Sequence, residues 1–113
     1  MPMKLQRFGV TPCGPGDMLH APVVRAGRWI FGTGLRATGP DGRMDPQVLR
    51  PGRPLGVPPQ AQREAQHVFE RAAQLLAQAG SSLSRVVRVD QYYTDPASVD
   101  PYHVARKQAM AGQ

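Results

Sequence analysis

The stretch QAQREAQHVFERAAQLLAQA, Gln60 to Ala79, constrains this chain more than any other part of it. Ala61, Ala65, Val68, Phe69, Ala72, Leu75, Leu76 and Ala79 recur at steps of three and four, the period of one helix face. Gln62, Arg63, Gln66, Arg71 and Gln74 fall outside that stripe. Pro58 and Pro59 precede the segment and Gly80 follows it, where a left-handed C-cap belongs. A helix with so definite an apolar stripe needs a second layer to bury it.

The rest of the chain supplies that layer. KLQRFGV, Lys4 to Val10, reads as a short strand followed by the turn-rich TPCGPGD. Val23 and Val24, a turn at Arg25 to Arg28, and Trp29, Ile30 and Phe31 read as a β-hairpin. Trp29 and Phe31 share one strand face and Ile30 takes the other, so the strand is expected to be covered on both sides. Gly32 and Gly34 flank Thr33 at its end and allow a backbone or ligand to approach closely. Residues 38–59 are rich in proline and glycine and carry no period; they read as a long loop, either a disordered or surface-wrapping segment or a binding lid. After the helix, SSLS makes a turn. Arg85 to Thr94 then reads as a strand, with Val87, Val89 and Gln91 on one face and Val86, Arg88, Asp90 and Tyr92 on the other. A second, poorer helix follows, with Ser98 or Asp100 as N-cap and Pro101 in its first turn. Its apolar positions are Val99, Tyr102, either Val104 or Ala105, and Ala109.

The order β-β-β-loop-α-β-α predicts one α+β domain over residues 1–113, a small mixed sheet covered on one face by two helices. The second helix has no strand after it and one sheet edge is left unexplained. The expectation is therefore that Gln113 is a cut end, and that residues elsewhere complete the sheet.

Composition narrows the function classes. The net charge is +6, but the arginines are scattered and aromatic residues do not interleave with them, which favours a solvated surface over a nucleic-acid face. With one cysteine, Cys13, no intrachain disulfide can form, and no His or Asp stands at a spacing that would make it a nucleophile. No apolar run is long enough to span a membrane and the first residues lack a signal-peptide core. A cytoplasmic protein is expected.

Two segments carry a family resemblance. HAPVVRAGRWIFGTGL and QAQHVFERAAQLLAQAGSSLSRVVRVDQYYTDPASVDPYH resemble the RidA (YjgF-type) reactive intermediate deaminases, over roughly His20 to Arg106. The resemblance implies a chorismate-mutase-like fold, usually trimeric, with clefts between subunits. It implies hydrolysis of enamines and imines to a carbonyl compound and ammonia, with neither metal nor organic cofactor. His20 falls where that family has a site tyrosine or histidine, and Thr33 and Gly34 match its small hydroxyl residue and glycine at the strand end. Leu35 replaces a glutamine, Asp100 falls where an asparagine is common near the cleft, and Arg106 and Lys107 replace bulky apolar residues. The family's carboxylate-binding arginine and a glutamate assigned to water activation lie beyond the second helix, outside this sequence. Arg36 or Arg106 is then the candidate substitute.

The expected site is His20 and Thr33 as catalytic residues, with Gly34, Arg36 and Asp100 binding substrate. His20 would transfer protons, and Thr33 with the amides around Gly34 would orient a carboxylate or a water. Purely structural roles compete: a turn position for His20, strand-end packing for Thr33 and an N-cap for Asp100. Tyr92 and Tyr93 read as packing residues and His67 as solvated. Expected partners are a small-molecule substrate and a homo-oligomer, or a second chain carrying the rest of the fold. Two other functions remain open: a non-catalytic ligand-binding or subunit-interaction module, and an amide or lactam hydrolase whose nucleophile sits on a second fragment.

Overall fold

A computed structural model describes residues 4–12, 16, 18–37, 43, 44, 46, 48, 59–93 and 95–111. The element order is β1 (Leu5–Phe8), β2 (Thr11–Pro12), β3 (Leu19–His20), β4 (Val23–Ala26), β5 (Trp29–Gly32), α1 (Gln60–Gln78) and α2 (Val99–Met110), with short 3-10 turns at Leu83–Arg85 and Pro96–Ser98. The fold is α+β, as expected, but all the observed strand pairing is antiparallel, not mixed.

β1, β4 and β5 form a sheet with β4 in the centre. The pairs Phe8–Val23 and Thr11–His20 lie on one register. Hence β1–β2 and β3–β4 are the arms of a single long hairpin, interrupted where Gly9 and Val10 face Ala21 and Pro22. Proline has no N–H to donate, so the ladder breaks there and resumes in register. The second hairpin turns at Gly27 and Arg28, because Ala26 already pairs with Trp29. Gly27 has φ +62°. A positive φ at the first of two loop residues alone is the type II′ pattern that suits twisted strands. Arg25, expected in the turn, thus lies in the strand.

α1 follows the predicted stripe: Ala65, Phe69 and Leu75 are buried, and so is Ala79 just beyond it. Its end is a full Schellman motif. Ser81 N–H donates to the Leu76 carbonyl at 2.7 Å and Gly80 N–H to that of Ala77 at 3.1 Å, with Gly80 at φ +83°. The C-terminal half of α1 packs on the sheet, where Val23, Leu75 and Ala79 form a core flanked by Phe8, Ile30 and Leu35. The N-terminal half receives α2 through Phe69 and Tyr102, whose ring centroids are 5.8 Å apart. Ala105, not Val104, is the apolar position that α2 buries. Ala37 and Val48 are also buried, and Arg63 Nε donates to the Val48 carbonyl at 3.0 Å. That point of the 38–59 segment is therefore anchored to α1; most of the expected loop lies outside the described residues.

Three expectations are corrected. The two helices do not lie side by side on the sheet: α1 covers it and α2 rests on α1 and the 3-10 turns. The strand face bearing Trp29 and Phe31 is bare, these residues being 63% and 58% exposed, and among the described residues no helix reaches that side. Finally, the valine-rich segment forms no strand. Its first residue, Arg85, ends the 3-10 turn Leu83–Arg85, which falls where SSLS is expected to turn, and 86–93 pair with no strand among the described residues. Alternation alone cannot make a strand where no adjacent edge is offered to it.

One cross-link was not anticipated. Arg25 reaches from β4 to the end of α1: Nη1 donates to the Ala79 carbonyl at 2.8 Å while Nε donates to that of Gly27 at 3.1 Å. A cation at a helix C-terminus meets the negative end of the helix dipole and satisfies an otherwise free carbonyl. Arg25→Ala is expected to lower stability by about 1–2 kcal/mol, with Arg25→Lys losing less, as read from thermal melts.

Candidate functional site

The long hairpin decides where His20 sits. It lies in β3, half-buried, not in a turn. The β4–β5 ladder runs one bond past β5, with Thr33 N–H donating to the Pro22 carbonyl at 2.9 Å. This brings the chain after β5 back over β3. His20 consequently lies against Gly34, its Cε1 3.2 Å and Nε2 3.5 Å from where a Gly34 Cβ would stand. Gly34 has φ +67°. A larger residue there would be strained by its backbone conformation and would press on the His20 ring, so the group that comes close to the Gly32–Thr33–Gly34 stretch is a side chain, where a backbone or ligand was expected.

His20, Thr33 and Gly34 thus form a cluster. Thr33 and Gly34 are exposed, and the Thr33 amide is already used by the sheet, so it is the hydroxyl that remains for a ligand. Arg36 is exposed nearby in sequence, while Leu35 turns into the core. Neither Arg36 nor Asp100 makes a hydrogen bond or ion pair to the cluster among the described residues. Asp100 occupies the first turn of α2, exposed, where a carboxylate complements the helix dipole. Of the two expected N-caps, Ser98 holds the position at the start of α2, without a side-chain hydrogen bond, and Asp95, overlooked in the sequence, caps the preceding turn by accepting from Ala97 N–H at 2.9 Å.

A second group of side chains gathers at α2. Val86, Val87, Arg88, Val89, Gln91, His103, Arg106 and Met110 line an open groove of roughly 350 Å³. Beside it the Tyr93 ring meets Tyr102 edge-on at 5.5 Å, and Tyr102 meets His103 at 5.4 Å. Tyr102 donates to Gln91 Oε1 at 2.9 Å, and burial, with the neighbouring Tyr93, holds its phenol above the ordinary value. The Tyr93 hydroxyl is shielded from solvent with no hydrogen-bond partner among the described residues. His103 Nδ1 accepts from Arg106 Nε at 3.2 Å. Tyr93 is the packing residue expected, whereas Tyr92 is 94% exposed. His67, read as solvated, is half-buried. Neither this groove nor the tyrosine cluster is marked in the sequence by spacing, because its parts come from separate segments.

Among the described residues no group of three or more His, Cys, Asp or Glu is arranged to hold a metal ion, and no helix is long and apolar enough to cross a membrane. Cys13 lies outside the described residues. No protein-family model, no curated protein and no solved structure matches the chain.

Proposed function

We propose that this protein is a hydrolase for a small nitrogen-containing metabolite, deaminating an enamine or imine in the cytoplasm as one part of an oligomer. The observation that supports it is the packing of His20 onto Gly34, the neighbour of Thr33, which brings together two separate stretches singled out by the resemblance to RidA-type deaminases. The reaction needs a proton delivered to the enamine carbon, giving an imine. Water then adds to the imine carbon, the C–N bond breaks, and ammonia leaves with a carbonyl product. An imidazole serves both proton steps, since it donates through one nitrogen and accepts through the other. The Thr33 hydroxyl would hold the water or one carboxylate oxygen, and the Arg36 guanidinium is the nearest candidate in sequence for the carboxylate charge.

The test is release of ammonia from 2-aminoacrylate generated in situ. His20→Ala is expected to lower the rate roughly 100-fold or more, the usual loss for an acid–base group. No acceleration by the wild-type protein would remove the proposal. The exposure of Thr33, Gly34 and Arg36 favours a second reading, a binding module without turnover. In that case small carboxylates bind, and His20→Ala changes their affinity while no ammonia is formed.

A further inference from the structure

The groove beside α2 holds a cation with no counter-ion. Arg106 is half-buried, and among the described residues no carboxylate pairs with it. Its Nε donates to His103 Nδ1 at 3.2 Å, which orients the guanidinium and leaves Nη1 and Nη2. Those two nitrogens form the end-on fork that takes both oxygens of one carboxylate. Gln91, on another wall of the groove, is held in the same way. The Tyr102 hydroxyl donates to its Oε1 at 2.9 Å, so its Nε2 keeps its two donors. No hydrogen bond engages Arg106 Nη1 and Nη2 or Gln91 Nε2 among the described residues. Two sets of donors, each steadied by a neighbour, thus stand over one groove, and a half-buried charge is best satisfied by an opposite one.

We propose that this groove binds a small aliphatic monocarboxylate, its head on the Arg106 fork and the Gln91 amide and its tail along Val87, Val89 and Met110. The tail's class follows from the walls. Val87 and Val89 are 84% and 41% exposed and Met110 is half-buried, so covering them removes apolar surface from water. The head's charge follows from the cations. Arg88 also lines the groove, but Asp90 bridges it at 3.2 Å, so Arg106 is the cation left for a ligand and one negative charge balances it. A phosphate, with nearly two negative charges, exceeds that balance. The groove's volume of roughly 350 Å³ accommodates a short-chain acid. Its walls come from α2 and residues 86–91, and none of them belongs to the His20, Thr33 and Gly34 cluster, so the groove is a site apart from the one assigned to deamination.

Titration of the whole protein with hexanoate, followed by NMR, tests this. Saturable binding is expected in the millimolar range, because the groove is open to solvent on one side. The shifts should fall on the Arg106 Nε–H and on the methyl groups of Val87, Val89 and Met110. Hexanol and hexylamine should bind at least about tenfold more weakly, since neither brings a carboxylate to the fork. Arg106→Gln should lower hexanoate affinity at least about tenfold, and Arg106→Lys should restore only part of it, because an ammonium is a point charge without the fork. Tyr102→Phe keeps the ring contacts and removes the bond that steadies Gln91. It should weaken hexanoate by roughly threefold and leave hexanol unchanged, a difference that a purely structural role for the hydroxyl would not produce. Unchanged far-UV circular dichroism verifies that the variants fold, and the hexanoate–hexanol comparison on the wild type needs no variant. Absence of saturable shifts, shifts centred on Thr33 and Gly34, hexanol binding as tightly as hexanoate, or undiminished affinity in Arg106→Gln would each overturn the proposal. None of these readouts involves ammonia release, so the catalytic reading is tested separately.

Discussion

Gly9→Ala is expected to destabilise the protein by roughly 2–5 kcal/mol. Gly9 lies at the break in the long hairpin with φ +67°. An alanine there adopts the left-handed region, at about 1–2 kcal/mol. Its methyl would stand 2.8 Å from Leu75 Cδ2 and 3.0 Å from Pro22 Cγ. Leu75 Cδ2 ends a flexible side chain, but Leu75 is only 4% exposed and packs with Val23 and Ala79, while Pro22 is fully buried. The neighbours can give way only by disturbing the contact between sheet and α1, and overpacking of that kind costs about 1–3 kcal/mol. Gly16→Ala separates the two terms. Gly16 has φ +75° with nothing within 4 Å of its Cβ position, so it carries strain without crowding. Urea midpoints should place Gly9→Ala well below Gly16→Ala. Equal losses would mean that Gly9 does not touch the core.

Phe69→Ala should cost about 3–5 kcal/mol, the range for a buried aromatic truncated in a core. Phe69 is 6% exposed and links the two helices by contact with Tyr102. Beyond that pair, the seam holds Ala105 and a hydrogen bond between Gln66 and Gln108 at 3.2 Å, and a small residue and a surface amide pair cannot replace an aromatic contact. The variant is expected to loosen α2, which near-UV circular dichroism of Tyr102 and Tyr93 would report alongside the melt. Val104→Ala, at a 44% exposed position on the same helix, should change stability by less than about 0.5 kcal/mol. Comparable losses for the two would show that α2 is rotated from its described orientation.

One contact near the expected site, that of His20 with Gly34, has a local signal in the sequence. The spacing of Gly32, Thr33 and Gly34 announces a close approach, and the structure supplies the partner in His20. Arg36 and Asp100 could not be placed in the same way, because exposed polar residues leave no pattern that says what they face. The groove at α2 was invisible for a related reason: His103 and Arg106 meet residues 86–91 only after the chain has turned twice.

What the residues determined by themselves is what depends on neighbours a few positions away: α1 with its stripe and Gly80 end, the turn at Gly27, and the α+β class. A helix satisfies its backbone internally and a two-residue turn closes on itself, so period and punctuation suffice for both. Tertiary structure decided the rest. It continued one hairpin through Gly9 and Pro22, sent Arg25 to the end of α1, buried Ala105 in place of Val104, and left 86–93 without a strand partner among the described residues. A strand takes its hydrogen bonds from another segment, and no alternation within the valine run can say whether that segment is at hand.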